Sequence, residues 1–168
     1  KENGFNKLYF ASQKVKAYVE SFGWEFISDF NRKDFFIEMV KKMDMTHSYK
    51  PIFLLSILNN SNQDGVTNVW NVVSDFRKFF NKRREQNLIV EKPNSVYLNA
   101  EITDLEILNN ILNYPFKRFK DFGVISYDKD NKNIVFDSVI WNSLTQSDKE
   151  LINAVCYNKL EEYFSSIN

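Results

Sequence analysis

The chain has 168 residues, 43% hydrophobic and 26% charged, with 22 Lys plus Arg against 22 Asp plus Glu. That is enough sequence for one domain with a real core, and the balance of charge excludes a basic field over the whole molecule, so any nucleic-acid role must rest on local patches. A single cysteine excludes an internal disulfide and a Cys-based zinc site, and fits a reducing cytoplasm.

Aromatic residues make up 16% of the chain, with 16 Phe, a composition suited to filling a core. No apolar run approaches the roughly 20 residues of a membrane span. "KENGFNKLYF" has no signal-peptide layout and no initiating Met, which points to a piece of a longer protein.

In chain order, Phe5, Leu8, Tyr9, Val15, Tyr18, Val19 and Phe22 suit a helix closed by Gly23. Phe35, Phe36, Met39, Val40 and Met43 recur at helical spacing, so residues 1–45 read as a helical connector. Pro51 suits a first helical turn after Ser48, and Ile52–Leu58 is nearly apolar all round, the mark of a buried helix. Asp64-Gly65 signals a turn. Val69, Trp70, Val73, Phe76 and Phe80 then give an amphipathic helix whose last turns carry Arg77, Lys78, Lys82, Arg83 and Arg84, five cations in eight residues. "LIVEKPNSVYLNAEIT" reads as a loop or a short strand.

Leu105, Leu108, Ile111 and Leu112 form the next helix, started by Thr103 or Asp104 and interrupted by Pro115. "VISY" and "IVFD" flank the polar "DKDNKN", so a β-hairpin is expected, and "SDKE" at 147–150 caps a closing helix. The fold class is therefore mainly α with a small β-hairpin (α+β), a winged-helix-like domain over 46–168 preceded by the helical segment.

In a winged helix the helix before the hairpin enters the DNA major groove. At about 100° per residue, Phe116, Phe119 and Phe122 span a core-facing arc of about 120° and leave Lys117 outward, with Arg118 and Lys120 flanking it. Lys117, Arg118 and Lys120 are thus the first expected DNA contacts. The set from Arg77 to Arg84 is expected to reach phosphates, where long cations on a rigid element displace counterions. Both sets also suit a solvated surface.

Chemistry-bearing constellations are missing. One histidine, His47, leaves no room for a triad or a multi-histidine metal site, and the four glycines are too far apart for a phosphate loop. "DKDNKN" lacks the Gly and Glu of a calcium loop. No catalytic residue, metal or cofactor is assigned.

"MDMTHSYKPIFLLSILN", "FRKFFNKRREQNLIVEKPNS" and "NYPFKRFKDFGVISYDKDNKNIVFDSVIWNSLTQSDKELI" together resemble the C-terminal region of large bacterial DEAD/DEAH-box helicases of the restriction or phage-defence type. The resemblance implies a parent that hydrolyses ATP and acts on DNA. Tyr49-Lys50-Pro51 and Tyr114-Pro115-Phe116 are also similar to sulfur-binding domains of modification-dependent restriction enzymes. There the Tyr and Pro help form a pocket for a phosphorothioate sulfur, which marks Tyr114 as a pocket residue. Tyr49 stands where that family has His, and Lys117 where it has an aromatic residue. The expected partners are DNA, duplex in form, and the parent's helicase domains. A protein-docking module and a sensor of modified DNA are the alternatives.

Overall fold

The computed structural model describes residues 31–167. The first expected helix, over Phe5–Phe22, lies outside them. Helix α1 (Arg32–Lys41) leads to α2 (Tyr49–Asn60), strand β1 (Val66–Asn68) and the long helix α3 (Val69–Glu85). A loop with one 3-10 turn (Val96–Leu98) reaches α4 (Asp104–Ile111), a π-helical turn (Leu112–Phe116) and α5 (Lys117–Asp121). The hairpin β2 (Ile125–Asp128) and β3 (Asn133–Phe136) follows, then α6 (Ser138–Ser143) and α7 (Gln146–Ser166). The chain is mainly α with a small antiparallel sheet.

Strand β3 pairs with both others, in the order β1-β3-β2. Val66 sits opposite Val135 on one side and Ile125 opposite Phe136 on the other. Helix, strand, helix, helix and hairpin succeed one another in winged-helix order, with β1 stitched to the wing.

The period of two along β3 drives Ile134 and Phe136 inward. They meet a core that draws on every helix of the described residues. Helix α2 runs through its centre, buried at Tyr49 and at every position from Pro51 to Ile57. Phe53 stacks on Phe119 at 5.7 Å and meets the edge of Phe116 at 6.5 Å. Truncating a fully buried Phe of this kind costs about 3–5 kcal/mol. Helix α1 contributes Phe36, Ile37 and Val40 to the same core, across the boundary expected at residue 45.

Three local expectations change, and one short helix is unexpected. Residues 88–103 form no strand; the segment is held as a loop by side chains described below. Pro115 does not end the helix. It has no amide hydrogen and its ring crowds the carbonyl four residues back, and the chain relieves both by widening to a π-turn that runs straight into α5. The last helix is capped by Thr145 and Asp148, each side chain holding the other's backbone amide, rather than by Ser147 and Glu150. Ahead of it the short helix α6 is capped by Asp137, which accepts the Ile140 amide at 3.1 Å.

Among the described residues no helix is long and apolar enough to cross a membrane.

Candidate nucleic-acid interface

The π-turn sets the site. Its wide winding buries Pro115 and Phe116 while Tyr114 stands 64% exposed. On α5, Phe119 is buried and Lys117 and Lys120 are exposed. Arg118 is half-buried, its guanidinium lying 4.6 Å from the centre of the Phe122 ring. The phenylalanine-anchored turn therefore presents its cations outward, with one of them laid over an aromatic face.

The start of α2 adds a member that the charge pattern did not single out. Lys50 is half-buried, and its ammonium is held below the ordinary lysine range. Burial is the largest cause, followed by the positive charge of Arg118, while Asp44 acts in the opposite direction. Two cations are thus packed close enough to repel, with one acid to offset them.

The π-turn packs on α2, so the Tyr49-Lys50-Pro51 and Tyr114-Pro115-Phe116 segments, remote in sequence, become neighbours. Tyr49 itself is buried and its phenol is pushed up to about 12, chiefly by burial, with Glu91 and Tyr114 adding to the rise. Its hydroxyl bonds Ser95 at 2.8 Å and its ring stacks on His47 at 4.8 Å.

The basic run on α3 behaves differently. Arg77 donates to Asp104 at 2.6 Å and to the Ile102 carbonyl at 2.8 Å. Arg83 donates to the Ile89 carbonyl at 2.7 Å and lies 3.4 Å from the centre of the Phe164 ring; burial holds its guanidinium below its usual range. Arg84 donates to the Tyr97 carbonyl at 2.8 Å and to Asn81 at 2.7 Å. These three arginines clamp the loop between α3 and α4 to the helix that precedes it. Only Lys78 and Lys82 of the five stand exposed, Lys78 at 3.7 Å from Asp75.

The two basic sets do not share a surface. Lys78 and Lys82 border a groove with Ile52, Leu55, Ser56 and Asn59 of α2. With Lys50 placed at 0° on the α2 wheel, those four residues fall between about 140° and 240°. The Lys50–Arg118 side and the Lys78–Lys82 side thus lie on opposite flanks of α2, and the expected single positive face divides in two.

The hairpin tip is tied by Asp128, which accepts the Asp130 amide at 3.0 Å and the Asn131 side-chain amide at 2.7 Å. The Asn131 side chain first, then the tip amides, hold its carboxyl below the usual range. Lys129 and Lys132 are exposed beside it.

No protein-family model, no curated protein and no solved structure matches this chain.

Among the described residues no group of three or more His, Cys, Asp or Glu is placed to hold a metal ion. Cys156 is buried in α7, its thiol pushed up to about 12 by burial. The second residue the sequence did not single out is Glu91. It is 4% exposed in the loop and accepts from the Ser48 amide at 3.0 Å, the Ser48 hydroxyl and the Tyr163 hydroxyl. A lone acid between Val90 and Lys92 carries no sequence signal for that role. Lys50 had one, a charge opening an otherwise apolar helix.

Proposed function

We propose that this chain is a DNA-binding accessory domain of a larger bacterial helicase or restriction protein, gripping the phosphate backbone with Lys50, Lys117, Arg118 and Lys120 beside Tyr114. One observation carries the reading: Lys50 and Arg118 line one cavity as like charges, and Tyr114, Lys117 and Lys120 are exposed on the turn and helix that carry Arg118. Holding cations together is costly unless an anion completes the site, and a phosphodiester supplies one. An exposed tyrosine next to them adds a surface for a sugar or base.

Gel-shift titration on duplex and single-stranded DNA at two salt concentrations tests it. Each phosphate contact contributes about −0.9 to the logarithmic salt slope on duplex DNA, so Lys117→Ala with Lys120→Ala reduces the slope by about 2. Lys78→Ala with Lys82→Ala, on the other flank of α2, leaves it unchanged. Equal losses from both pairs, or from neither, defeat the assignment of the face. A phosphorothioate arm in the same titration separates backbone binding from sensing of modified DNA.

A protein-docking role has its own support. Leu88, Val96, Leu98 and Leu105 on and beside the clamped loop are between 41% and 64% exposed. Binding of the parent's helicase domains that is abolished by Leu98→Asp, with no DNA shift at any salt, favours that reading over the first.

A further inference from the structure

Lys50 and Arg118 do more than face solvent: they also border a cavity of about 390 Å³ between α1, the start of α2 and α5. Its wall is mixed: Phe35, Met39, Met43, Phe119 and Phe122 give it an apolar part, and Asp44 lines it together with Lys50 and Arg118. Asp34, in the first turn of α1, brings a carboxylate to the same wall. Glu38 also lines it but is engaged by Lys41 at 2.8 Å and Lys42 at 3.8 Å.

We propose that this cavity takes a nucleoside monophosphate, with the base between the phenyl and Met39 side chains and the phosphate on Lys50 and Arg118. The volume lies in the range of small-ligand pockets, roughly 300–1,000 Å³. A flat ring fits against the aromatic and thioether side chains, and a phosphate supplies the negative charge that Asp44 leaves unmet on Lys50 and Arg118. The Asp34 carboxylate accepts from an exocyclic amine, so adenine and cytosine bind better than thymine, whose edge at that position offers only an acceptor. The same group has two sources. It is either free in solution or swung out of a bound strand, and the second source rests on the DNA reading above.

The test uses the whole 168-residue chain, titrated calorimetrically with dAMP, dCMP, dTMP, deoxyadenosine and inorganic phosphate. The expected result is that dAMP and dCMP bind at least tenfold tighter than dTMP, and dAMP at least tenfold tighter than either deoxyadenosine or phosphate. Arg118→Ala and Lys50→Met each remove at least tenfold of the dAMP affinity. Met39→Trp, which fills the cavity without touching the cations, does the same, and circular dichroism verifies that each variant is folded. A duplex carrying 2-aminopurine then assigns the source: a fluorescence rise on binding marks a swung-out nucleotide, and no rise marks the free one.

Silence of all five ligands at millimolar concentration, with no 2-aminopurine response, overturns the pocket. So does dAMP binding that survives both Arg118→Ala and Met39→Trp. If the gel shift persists while the pocket is silent, the backbone reading stands alone. If dAMP binds but DNA never shifts, the backbone reading falls and the pocket stands.

Discussion

Glu91 and Tyr163, 72 residues apart, are joined by a hydrogen bond in which the buried phenol donates to the buried carboxylate. The same carboxylate takes the Ser48 amide and hydroxyl, so one loop residue ties the entry of α2 to the last turns of α7. Burial first and this bond second push the Tyr163 phenol far above its ordinary range.

Glu91→Ala is therefore expected to destabilise the fold by about 3 kcal/mol, because it strands a buried amide and two buried hydroxyls at about 1–3 kcal/mol for a lost partner. Tyr163→Phe, which removes one donor and leaves the carboxylate its other partners, costs about 1 kcal/mol. Urea unfolding measures both. A midpoint for Glu91→Ala indistinguishable from the parent chain contradicts the role given to this carboxylate.

The arginines and lysines of α3 and α5 should separate stability from binding. Arg84→Ala and Arg77→Ala each free part of the loop and cost about 1–2 kcal/mol, the lower value for Arg77 because its partner Asp104 is 61% exposed. Neither should alter DNA affinity more than twofold. Lys117→Ala shows the converse, an unchanged melting temperature and weaker binding. Hydrogen exchange across residues 86–103 reports the loop directly, and protection that survives both arginine changes contradicts the clamp.

Gly65 is expected to be irreplaceable. It sits at φ +74°, and a Cβ there would approach the Trp141 ring to 2.7 Å. The left-handed backbone costs an L-residue about 1–2 kcal/mol and the overlap about 1–3 more. Gly65→Ala therefore loses about 3 kcal/mol by thermal or urea unfolding. The loss shrinks in a Trp141→Ala background, since the two positions are in contact. A full, additive loss in the double variant places the strain in the backbone alone.

Lys50 gives a pH dependence with a definite sign. Burial, then the Arg118 charge, hold its folded-state pKa below that of the unfolded chain. Between the two values the unfolded chain carries more protons, so this group's contribution to stability rises with pH; below the folded value its penalty is fully present. Lys50→Met removes that penalty. The variant should melt higher than the parent at neutral pH, and the difference should narrow as the pH approaches the ordinary lysine range. Tyr49, with its phenol at about 12, acts in the opposite direction in the alkaline range and cancels in the comparison. A variant that melts lower at neutral pH refutes the account of Lys50.

Features set by local pattern were readable from the chain. The apolar run Ile52–Leu58 announced a buried helix, Thr103 and Glu106 form the capping box at the start expected for α4, and the hairpin runs fell within a residue of β2 and β3. Overlapping signals were not. Thr145–Asp148 and Ser147–Glu150 both have the capping spacing, and the helix starts at the first. Helix α6 has six residues, too few to show a period. The arginines were opaque for a different reason. Each of them bonds a loop carbonyl, that of Ile89, Tyr97 or Ile102, and a carbonyl has no letter in the sequence, so a clamped guanidinium and a solvated one look alike.

The widened turn at Leu112–Phe116 fixes the rotational phase between α4 and α5. It holds one residue more than ordinary α-winding would use. Deleting a residue there would leave α5 in nearly the same phase, because four residues of α-winding at about 100° each turn the chain about as far as five of the wider winding. It would instead press the Pro115 ring back against the carbonyl four residues before it. The extra residue is thus tied to the proline: Asn113 can vary freely, but its loss is tolerated only if Pro115 goes with it.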